Sequence, residues 1–377
     1  MEKKLQMVDL HGQYLKIKKE IDEGIAAVLE TCAFINGPQV KQFADALASY
    51  TGVRHAVPCA NGTDALMISL MALGLRPGDE VVVPAFTYAA SAEAAAILGL
   101  VPVMADVDPV SFNMTAGNIR EVLTPKTRAV IPVHLFGQSC DMEPILSLAD
   151  EYGLYVIEDN AQSLGAEYEF SDGTVKKTGA MGTMGCTSFF PSKNLGCYGD
   201  GGAILTDDDR LAESARMVAS HGQKVKYRHS VIGCNSRLDT IQAVVLGAKL
   251  PHLDEYCAAR REAAAYYTRA LRNVEGLDVP EEMPFARHVY NQYTLRIGCG
   301  RRDELKDFLE ARGIPSMIYY PLPLDRQEAF CRFSRESASL EVSRELASSV
   351  LSLPLHTELA HWQQDMVIDA VKEFFKQ

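Results

Sequence analysis

Residues 187–202 read Thr-Ser-Phe-Phe-Pro-Ser-Lys-Asn-Leu-Gly-Cys-Tyr-Gly-Asp-Gly-Gly. A β-type run from Cys186 to Phe190 stops at Pro191, and a second run begins after the glycines. Lys193 lies on the connection between them. Glycine tolerates positive φ and leaves room for a flat ligand close to the backbone. A lysine on such a turn is a candidate for Schiff-base chemistry, in which a desolvated amine attacks a carbonyl, although most turn lysines are simply solvated.

The bulk composition is that of an ordinary globular protein. The 377 residues are 47% apolar and 23% charged, which is enough for a large core and for two domains. The net charge of −12 argues against a nucleic-acid-binding surface. Nine cysteines without a Cys-x-x-Cys pair predict no metal site and no redox motif. The sequence shows no secretory leader and no apolar stretch long enough for a membrane span. Together with the free cysteines, this favours a cytoplasmic protein.

Short apolar runs alternate with helical patterns up to about residue 210. Runs of this kind, without polar alternation, are typical of strands that are buried on both faces. The predicted strands are Ala56–Cys59, Val81–Val83, Val101–Ala105, Ala129–Pro132, Tyr155–Glu158, Cys186–Phe190 and Ala203–Thr206. The predicted helices are Tyr14–Leu29, Pro38–Tyr50, Asp64–Leu73, Ala89–Leu98 and Met142–Tyr152. This order predicts an α/β fold with a mainly parallel sheet wrapped by helices.

The alternation ends after residue 210. A long amphipathic pattern runs from Asp239 to Ala270, with a break near Pro251, and leads the chain away from the sheet. The remainder mixes strands and helices. We therefore predict a large α/β domain at residues 1–250 and a smaller C-terminal α+β domain at residues 251–377.

Polar residues follow four of the predicted strands, at the sheet edge where open α/β sheets bind ligands. Gly62 and Thr63 open a helix, and such a terminus either holds a phosphate or is only an N-cap. Tyr88 lies just past a strand, where an aromatic ring stacks on a planar ligand or, more often, belongs to the core.

Asp159 leaves a buried strand, and Gln162 follows one turn later. A buried carboxylate needs a partner, and a pyridinium nitrogen would provide one, although an aspartate in this position is more often a helix cap. Taken together, the four strand ends provide a phosphate-binding helix terminus, an aromatic side chain that can stack on a ring and a carboxylate that can bind a ring nitrogen. At Lys193 they also provide an amine that can react with an aldehyde. That inventory is typical of a site for pyridoxal 5′-phosphate (PLP).

The chain resembles the DegT/DnrJ/StrS family of PLP-dependent nucleotide-sugar aminotransferases, which have the aspartate aminotransferase fold (PLP fold type I). The resemblance covers nearly the whole chain from Val8, and its most specific motifs are Asn61–Leu66, Ile157–Asp159, Ser188–Lys193 and Asn235–Asp239. The run from Pro191 to Gly202 is most similar to enzymes that aminate UDP-2-acetamido-2-deoxy-3-keto-glucuronate, a step towards bacterial surface polysaccharides such as the lipopolysaccharide O-antigen.

The resemblance implies a role for each cofactor-binding residue. Lys193 would be the catalytic Schiff-base lysine, Asp159 would hold the pyridine nitrogen and Gln162 the ring hydroxyl, and Tyr88 would stack on the ring. The implied phosphate ligands are Gly62, Thr63, Ser188 and Asn235, of which Asn235 would come from a neighbouring subunit.

The resemblance also implies the substrate-binding residues and the assembly. Arg237, again from the neighbour, would bind a carboxylate of the substrate or of the amino donor, so the site would be shared across a homodimer. Tyr319 and Tyr320 are implied substrate contacts, and relatives often carry a histidine where this chain has Tyr319.

The implied reaction moves an amino group from L-glutamate to a keto group of a UDP-linked sugar. The identity of the aminated carbon, C3 or C4, stays open, and a UDP-4-keto-6-deoxy-sugar is the alternative acceptor. A sugar dehydratase on the same scaffold would typically carry histidine in place of Lys193. A non-enzymatic PLP-binding regulator would be expected to carry a DNA-binding appendage and a less acidic charge.

Overall fold

The computed structural model describes residues 5–333 and 339–376. Its helices are α1 (Leu10–Lys16), α2 (Lys18–Thr31), α3 (Pro38–Thr51), α4 (Gly62–Ala72), α5 (Ala90–Ile97), α6 (Ala116–Val122), α7 (Met142–Tyr152), α8 (Asp209–Ala219), α9 (Thr240–Lys249), α10 (Leu253–Leu271), α11 (Arg302–Glu310), α12 (Glu341–Ser349) and α13 (His361–Phe375). Its strands are β1 (His55–Cys59), β2 (Glu80–Pro84), β3 (Val101–Ala105), β4 (Thr127–Val130), β5 (Tyr155–Asp159), β6 (Glu167–Glu169), β7 (Val175–Lys177), β8 (Met184–Ser188), β9 (Gly202–Thr206), β10 (Gln223–Val225), β11 (Arg228–His229), β12 (Leu277–Asp278), β13 (Ala286–Arg287), β14 (Tyr293–Ile297) and β15 (Val350–Leu353).

The central sheet has seven strands in the order β1-β9-β8-β5-β4-β2-β3. Strands β3, β2, β4, β5 and β8 are parallel to one another. Strand β9 is antiparallel to both of its neighbours, β8 and β1. The predicted α/β fold with a mainly parallel sheet is therefore confirmed.

Helices cover both faces of this sheet, which explains why its strands carry no polar alternation. On strand β2, Val81 and Val83 pack into one core with helices α4, α5 and α8, whereas Val82 packs into another core with α6 and α7. All three valines are fully buried. Among the described helices, none combines the length and the apolar character that crossing a membrane requires.

All seven predicted strands are present, and Val101–Ala105 has the predicted bounds. The strand predicted to end at Phe190 ends at Ser188 instead. The single helix predicted over Tyr14–Leu29 is wrong, because Ile17 leaves the helical conformation (φ −121°, ψ 20°) and separates α1 from α2. The side chain of Ile17 is still buried, in a cluster with Ile21 and Val245. The apolar spacing thus continues across the break, and periodicity alone does not reveal it.

A second core forms near the C-terminus. Helices α10, α11 and α13 pack against the antiparallel sheet β12-β14-β15, and the cluster also takes in Leu5. Its mixture of helices and antiparallel strands has the α+β character predicted for the C-terminal region. Leu324, Phe330 and Leu340 nevertheless pack into the core of the large domain. The predicted boundary at residue 250 falls in the 3₁₀ turn Leu250–His252, between α9 and α10, and stays a prediction.

Candidate active site

The antiparallel strand β9 brings Ser188 to the start of helix α4. Gly202 pairs with Cys59 on one side and with Ser188 on the other. The side chain of Asn61 caps α4 by accepting a hydrogen bond of 2.8 Å from the backbone N–H of Asp64. A Cβ on Gly62 would lie 2.8 Å from Cβ of Ser188, so glycine is required for this close approach. The helix N-terminus and the Ser188 hydroxyl together form a set of donors suited to a phosphate.

Asp159 ends strand β5, and only 6% of its surface is exposed. Its Oδ2 accepts a hydrogen bond of 2.8 Å from Ser91 Oγ, and its Oδ1 accepts one of 3.1 Å from the backbone N–H of Ala161. Burial raises the pKa of this carboxyl, and the two hydrogen bonds and the charge of Lys193 partly oppose that shift. A cationic ring nitrogen next to the carboxylate would stabilise its charged form further.

Lys193 lies on the turn that follows strand β8. Its backbone N–H donates to the carbonyl of Phe190 at 2.9 Å. Its amine forms no hydrogen bond or ion pair with another described residue. Burial lowers the pKa of Lys193 to about 8, although Asp159 opposes the shift. The amine is therefore neutral more often than an ordinary lysine at physiological pH, as a nucleophile requires.

Gln162, Tyr320 and Tyr88 lie together beside these groups. Gln162 Oε1 accepts from the backbone N–H of Phe136 at 2.7 Å, and its Nε2 donates to the Tyr320 hydroxyl at 3.0 Å. The second N–H of Gln162 Nε2 is available to donate a hydrogen bond to a substituent on a bound ring. The rings of Tyr88 and Tyr320 are 5.9 Å apart, and Tyr88 is 59% exposed. Tyr319 contacts Tyr320 and lines a cavity of about 30 Å³ with Ser192.

Asn235 and Arg237 are not brought to this group of residues within the chain. Asn235 is exposed, and Arg237 lines a separate cleft of about 520 Å³ together with Asn36 and Arg216. Within the described ranges, Arg237 has no hydrogen bond and no ion pair. Their implied contribution to a neighbouring subunit stays a prediction.

Two buried features of the site were not predicted from the sequence: the hydroxyl of Ser91, which bonds to Asp159, and the donors around Glu158. Ser91 is one of two polar residues in the alanine-rich helix α5, and this is the signal that could have singled it out. Glu158 is fully buried and accepts from His134 Nε2 at 2.9 Å. It also accepts from the backbone N–H groups of Gly179, Met181 and Gly182. Burial opposes ionisation of Glu158, but these donors outweigh it and lower its pKa.

The chemistry of the site fits PLP. Backbone N–H groups and a hydroxyl are available for the phosphate, a buried carboxylate for the pyridine nitrogen and an amine with a lowered pKa for the aldehyde. When bound, PLP supplies an electron sink for a carbanion, and the protein supplies binding and orientation.

Comparisons with known proteins agree with this chemistry. The profile of the DegT/DnrJ/EryC1/StrS aminotransferase family matches residues 15–372. A pleiotropic regulatory protein from Geobacillus stearothermophilus is 45% identical over 372 residues, which are 98% of each chain. A UDP-2-acetamido-2-deoxy-3-oxo-D-glucuronate aminotransferase from Pseudomonas aeruginosa is 45% identical over 355 residues, covering 94% of this chain and 96% of the relative. A UDP-N-acetyl-3-dehydro-α-D-glucosamine 3-aminotransferase from Acidithiobacillus ferrooxidans is 44% identical over 359 residues, 95% of each.

The fold is also that of a solved relative. The crystal structure of S. venezuelae DesV in complex with a ketimine intermediate superposes with a TM-score of 0.95, at 39% sequence identity and 99% coverage of both chains. On the family match, the near-complete coverage of these relatives and the PLP-type site, the chain belongs to the DegT/DnrJ/EryC1/StrS aminotransferase family of PLP-dependent enzymes.

Proposed function

We propose that this protein moves the amino group of L-glutamate to the C3 keto group of UDP-2-acetamido-2-deoxy-3-keto-glucuronate, with PLP as the cofactor. One observation carries the proposal: a buried carboxylate, Asp159, and an unpaired amine with a lowered pKa, Lys193, follow the adjacent parallel strands β5 and β8. A lone buried acid or a lone turn lysine has ordinary structural explanations. Their juxtaposition beside a helix N-terminus suits PLP chemistry.

Each residue has a physical task in this proposal. The Lys193 amine would hold the cofactor through its aldehyde carbon, with loss of water, and once released it would carry a proton between the substrate and the cofactor. Asp159 keeps the pyridine nitrogen protonated. Tyr88 stacks on the ring, and Gln162 donates to the ring hydroxyl. The phosphate is held by Gly62, Thr63 and Ser188, and by Asn235 of the second subunit.

The choice of acceptor rests on the relatives and on Arg237. Two relatives at 44–45% identity are named for UDP-linked 3-oxo sugars, which supports C3 over C4 and over a 4-keto-6-deoxy acceptor. One of these sugars is a uronate and the other is not. The guanidinium fork of Arg237 suits bidentate binding of a carboxylate, and it has no carboxylate partner within the described chain. A C6 carboxylate would give this fork a ligand.

We propose that the enzyme acts as a homodimer in the cytoplasm, in lipopolysaccharide O-antigen biosynthesis. The dimer is supported by apolar side chains exposed on and beside the β10-β11 hairpin, close in sequence to Asn235. Tyr227 is 80% exposed and Ile232 is 85% exposed. Side chains of this kind favour burial against a partner. A dehydratase is not favoured because Lys193 is present, and a purely regulatory role leaves the amine and Asp159 without a task.

The acceptor is tested by offering the purified enzyme ¹⁵N-labelled L-glutamate with each of three sugars. The sugars are the UDP-3-keto-uronate, the UDP-3-keto-N-acetylglucosamine and a UDP-4-keto-6-deoxy-sugar, and kcat/KM is measured from ¹⁵N incorporation. We expect the uronate to be preferred and Arg237→Lys to remove most of that preference, since a point charge does not replace the fork. Arg216→Lys, in the same cleft, is the control and should retain it. Preference of the wild type for a neutral sugar would overturn the uronate assignment and leave the aminotransferase activity standing.

A further inference from the structure

Lys249, the last residue of α9, is a buried lysine without an acidic partner. Only 1% of its surface is exposed, and no described carboxylate forms an ion pair with it. Its Nζ donates a hydrogen bond of 2.7 Å to the carbonyl of Gly196 and lies 4.6 Å from the centre of the Tyr198 ring. An apolar side chain would fill the same space without the cost of burying an amine.

Both contacts of Lys249 are made to the turn that carries Lys193. This turn is folded tightly on itself, because a Cβ on Gly196 would lie only 2.3 Å from the carbonyl oxygen of Pro191. A displacement of Gly196 therefore moves Pro191 and the residues next to it. The described segment 189–201 contains no strand or helix of its own, so its position depends on the residues that pack against it and bond to it.

Helix α9 holds this turn at a second point as well. Gln242 Oε1 accepts from the backbone N–H of Tyr198 at 2.8 Å, and its Nε2 donates to the carbonyl of the same residue at 3.4 Å. Lys249 lies two helical turns after Gln242 and donates a hydrogen bond to the carbonyl of Gly196. The turn is thus attached to one rigid helix at two successive places.

We propose that Lys249 is a positioning residue for Lys193, which acts by holding Gly196 and Tyr198 in place. The proposal rests on the proposed function, because it assigns Lys249 to the same lysine-dependent reaction. The carbonyl of Gly196 and the ring of Tyr198 both favour a positive charge on the Lys249 amine. Burial opposes that charge and lowers the pKa of Lys249 to about 8. Lys249 does not touch the reacting atoms and acts only through the turn.

The test compares Lys249→Met with the wild type, since methionine keeps an unbranched apolar stem of similar length. Lys177→Met is the control, because the Lys177 amine also lies over a tyrosine ring, 4.5 Å from the centre of Tyr50, but its ion pair is with Glu167, outside the turn. Two properties are measured: backbone hydrogen exchange of the peptide covering residues 189–199, with and without PLP, and kcat and KM for the half-reaction with L-glutamate.

We expect Lys249→Met to speed exchange of the Cys197 and Tyr198 amides and to lower kcat by about 10-fold, the effect of losing one hydrogen bond to a charged donor, with KM for L-glutamate unchanged. Lys249→Arg, which keeps a cationic donor, should recover part of the kcat. Lys177→Met should match the wild type in both measurements. Should Lys249→Met fail to fold, Lys249→Gln takes its place with the same two readouts.

Wild-type exchange and wild-type kcat in Lys249→Met would overturn the proposal. An equal loss of kcat in Lys177→Met would also overturn it. So would a rise in KM with kcat unchanged in Lys249→Met. Either result would show that Lys249 does not act by positioning the turn. Because exchange requires no substrate, it decides on Lys249 even if the wild type fails to react with L-glutamate. That failure would count against the proposed function alone.

Discussion

Ser91 Oγ donates a hydrogen bond of 2.8 Å to Asp159 Oδ2, so a hydroxyl on helix α5 orients the carboxylate at the end of strand β5. Both residues are buried. This hydrogen bond favours the charged form of the Asp159 carboxylate, against the effect of burial, and it fixes the direction of the group. A partner for a pyridine nitrogen requires both properties.

Ser91→Ala should lower kcat by about 10-fold, because a hydrogen bond to a charged group contributes roughly 1.5–3 kcal/mol and the Ala161 amide remains as a second donor. The protein should fold normally. The control is Ser352→Ala, which removes an equally buried serine bonded to Thr294 at 2.8 Å in the small domain. Equal activity in the two variants would show that Ser91 does not support Asp159.

Asp159→Asn should still bind PLP but lose most of the turnover, since the neutral amide cannot hold a proton on the pyridine nitrogen. Turnover and retained PLP are measured on the same purified sample. Asp106→Asn provides the comparison, because Asp106 is a buried carboxylate that binds Ser343 and lies outside the proposed set of cofactor ligands. Wild-type turnover in Asp159→Asn would mean that another group holds the nitrogen.

The rate at which the apoprotein captures PLP should depend on the protonation of Lys193. Only the neutral amine attacks the aldehyde, so the rate should rise with pH and level off above about 8. Asp159 raises the pKa of Lys193, and Asp159→Asn should therefore shift the midpoint to lower pH. Stopped-flow absorbance measures the rate, and a free lysine derivative corrects for the ionisation of PLP itself. A midpoint near the ordinary lysine value of 10.5 would contradict the lowered pKa of this amine.

The shared site is tested by complementation between two inactive variants. Lys193→Ala and Arg237→Ala homodimers should each be nearly inactive. A mixed dimer has one site with both lesions and one with neither, so random mixing should restore about a quarter of the wild-type activity. Mixing Lys193→Ala with Lys193→Met is the control and should restore nothing. If heterodimers form and no activity returns, Arg237 acts within its own subunit.

Much of the fold follows from local sequence. The strands of the central sheet are mainly apolar because helices cover both faces, as Val81 and Val82 on opposite sides of β2 illustrate. The ligand-binding edge follows from the parallel topology, and this is why Gly62, Asp159 and Lys193 could be named from their positions after strands.

The remaining features depend on contacts between distant residues. Ser91 and Asp159 are 68 positions apart, and Lys249 and Gly196 are 53 apart, so no local pattern connects them. The break at Ile17 escapes periodicity because its side chain stays buried. Short strands such as β10 and β11 contain too few residues to show an alternating pattern of apolar and polar side chains.

The dependence of the amino-group transfer on Lys193 is the main feature of the proposed function. It is tested most directly by adding L-glutamate to the PLP-loaded protein and following the absorbance of the lysine-bound cofactor, in the wild type and in Lys193→Ala. The wild type should lose this absorbance as 2-oxoglutarate appears in equal amount. Lys193→Ala should lack the absorbance and release no 2-oxoglutarate while it remains folded. Transfer at the wild-type rate without Lys193 would show that this lysine does not carry the reaction.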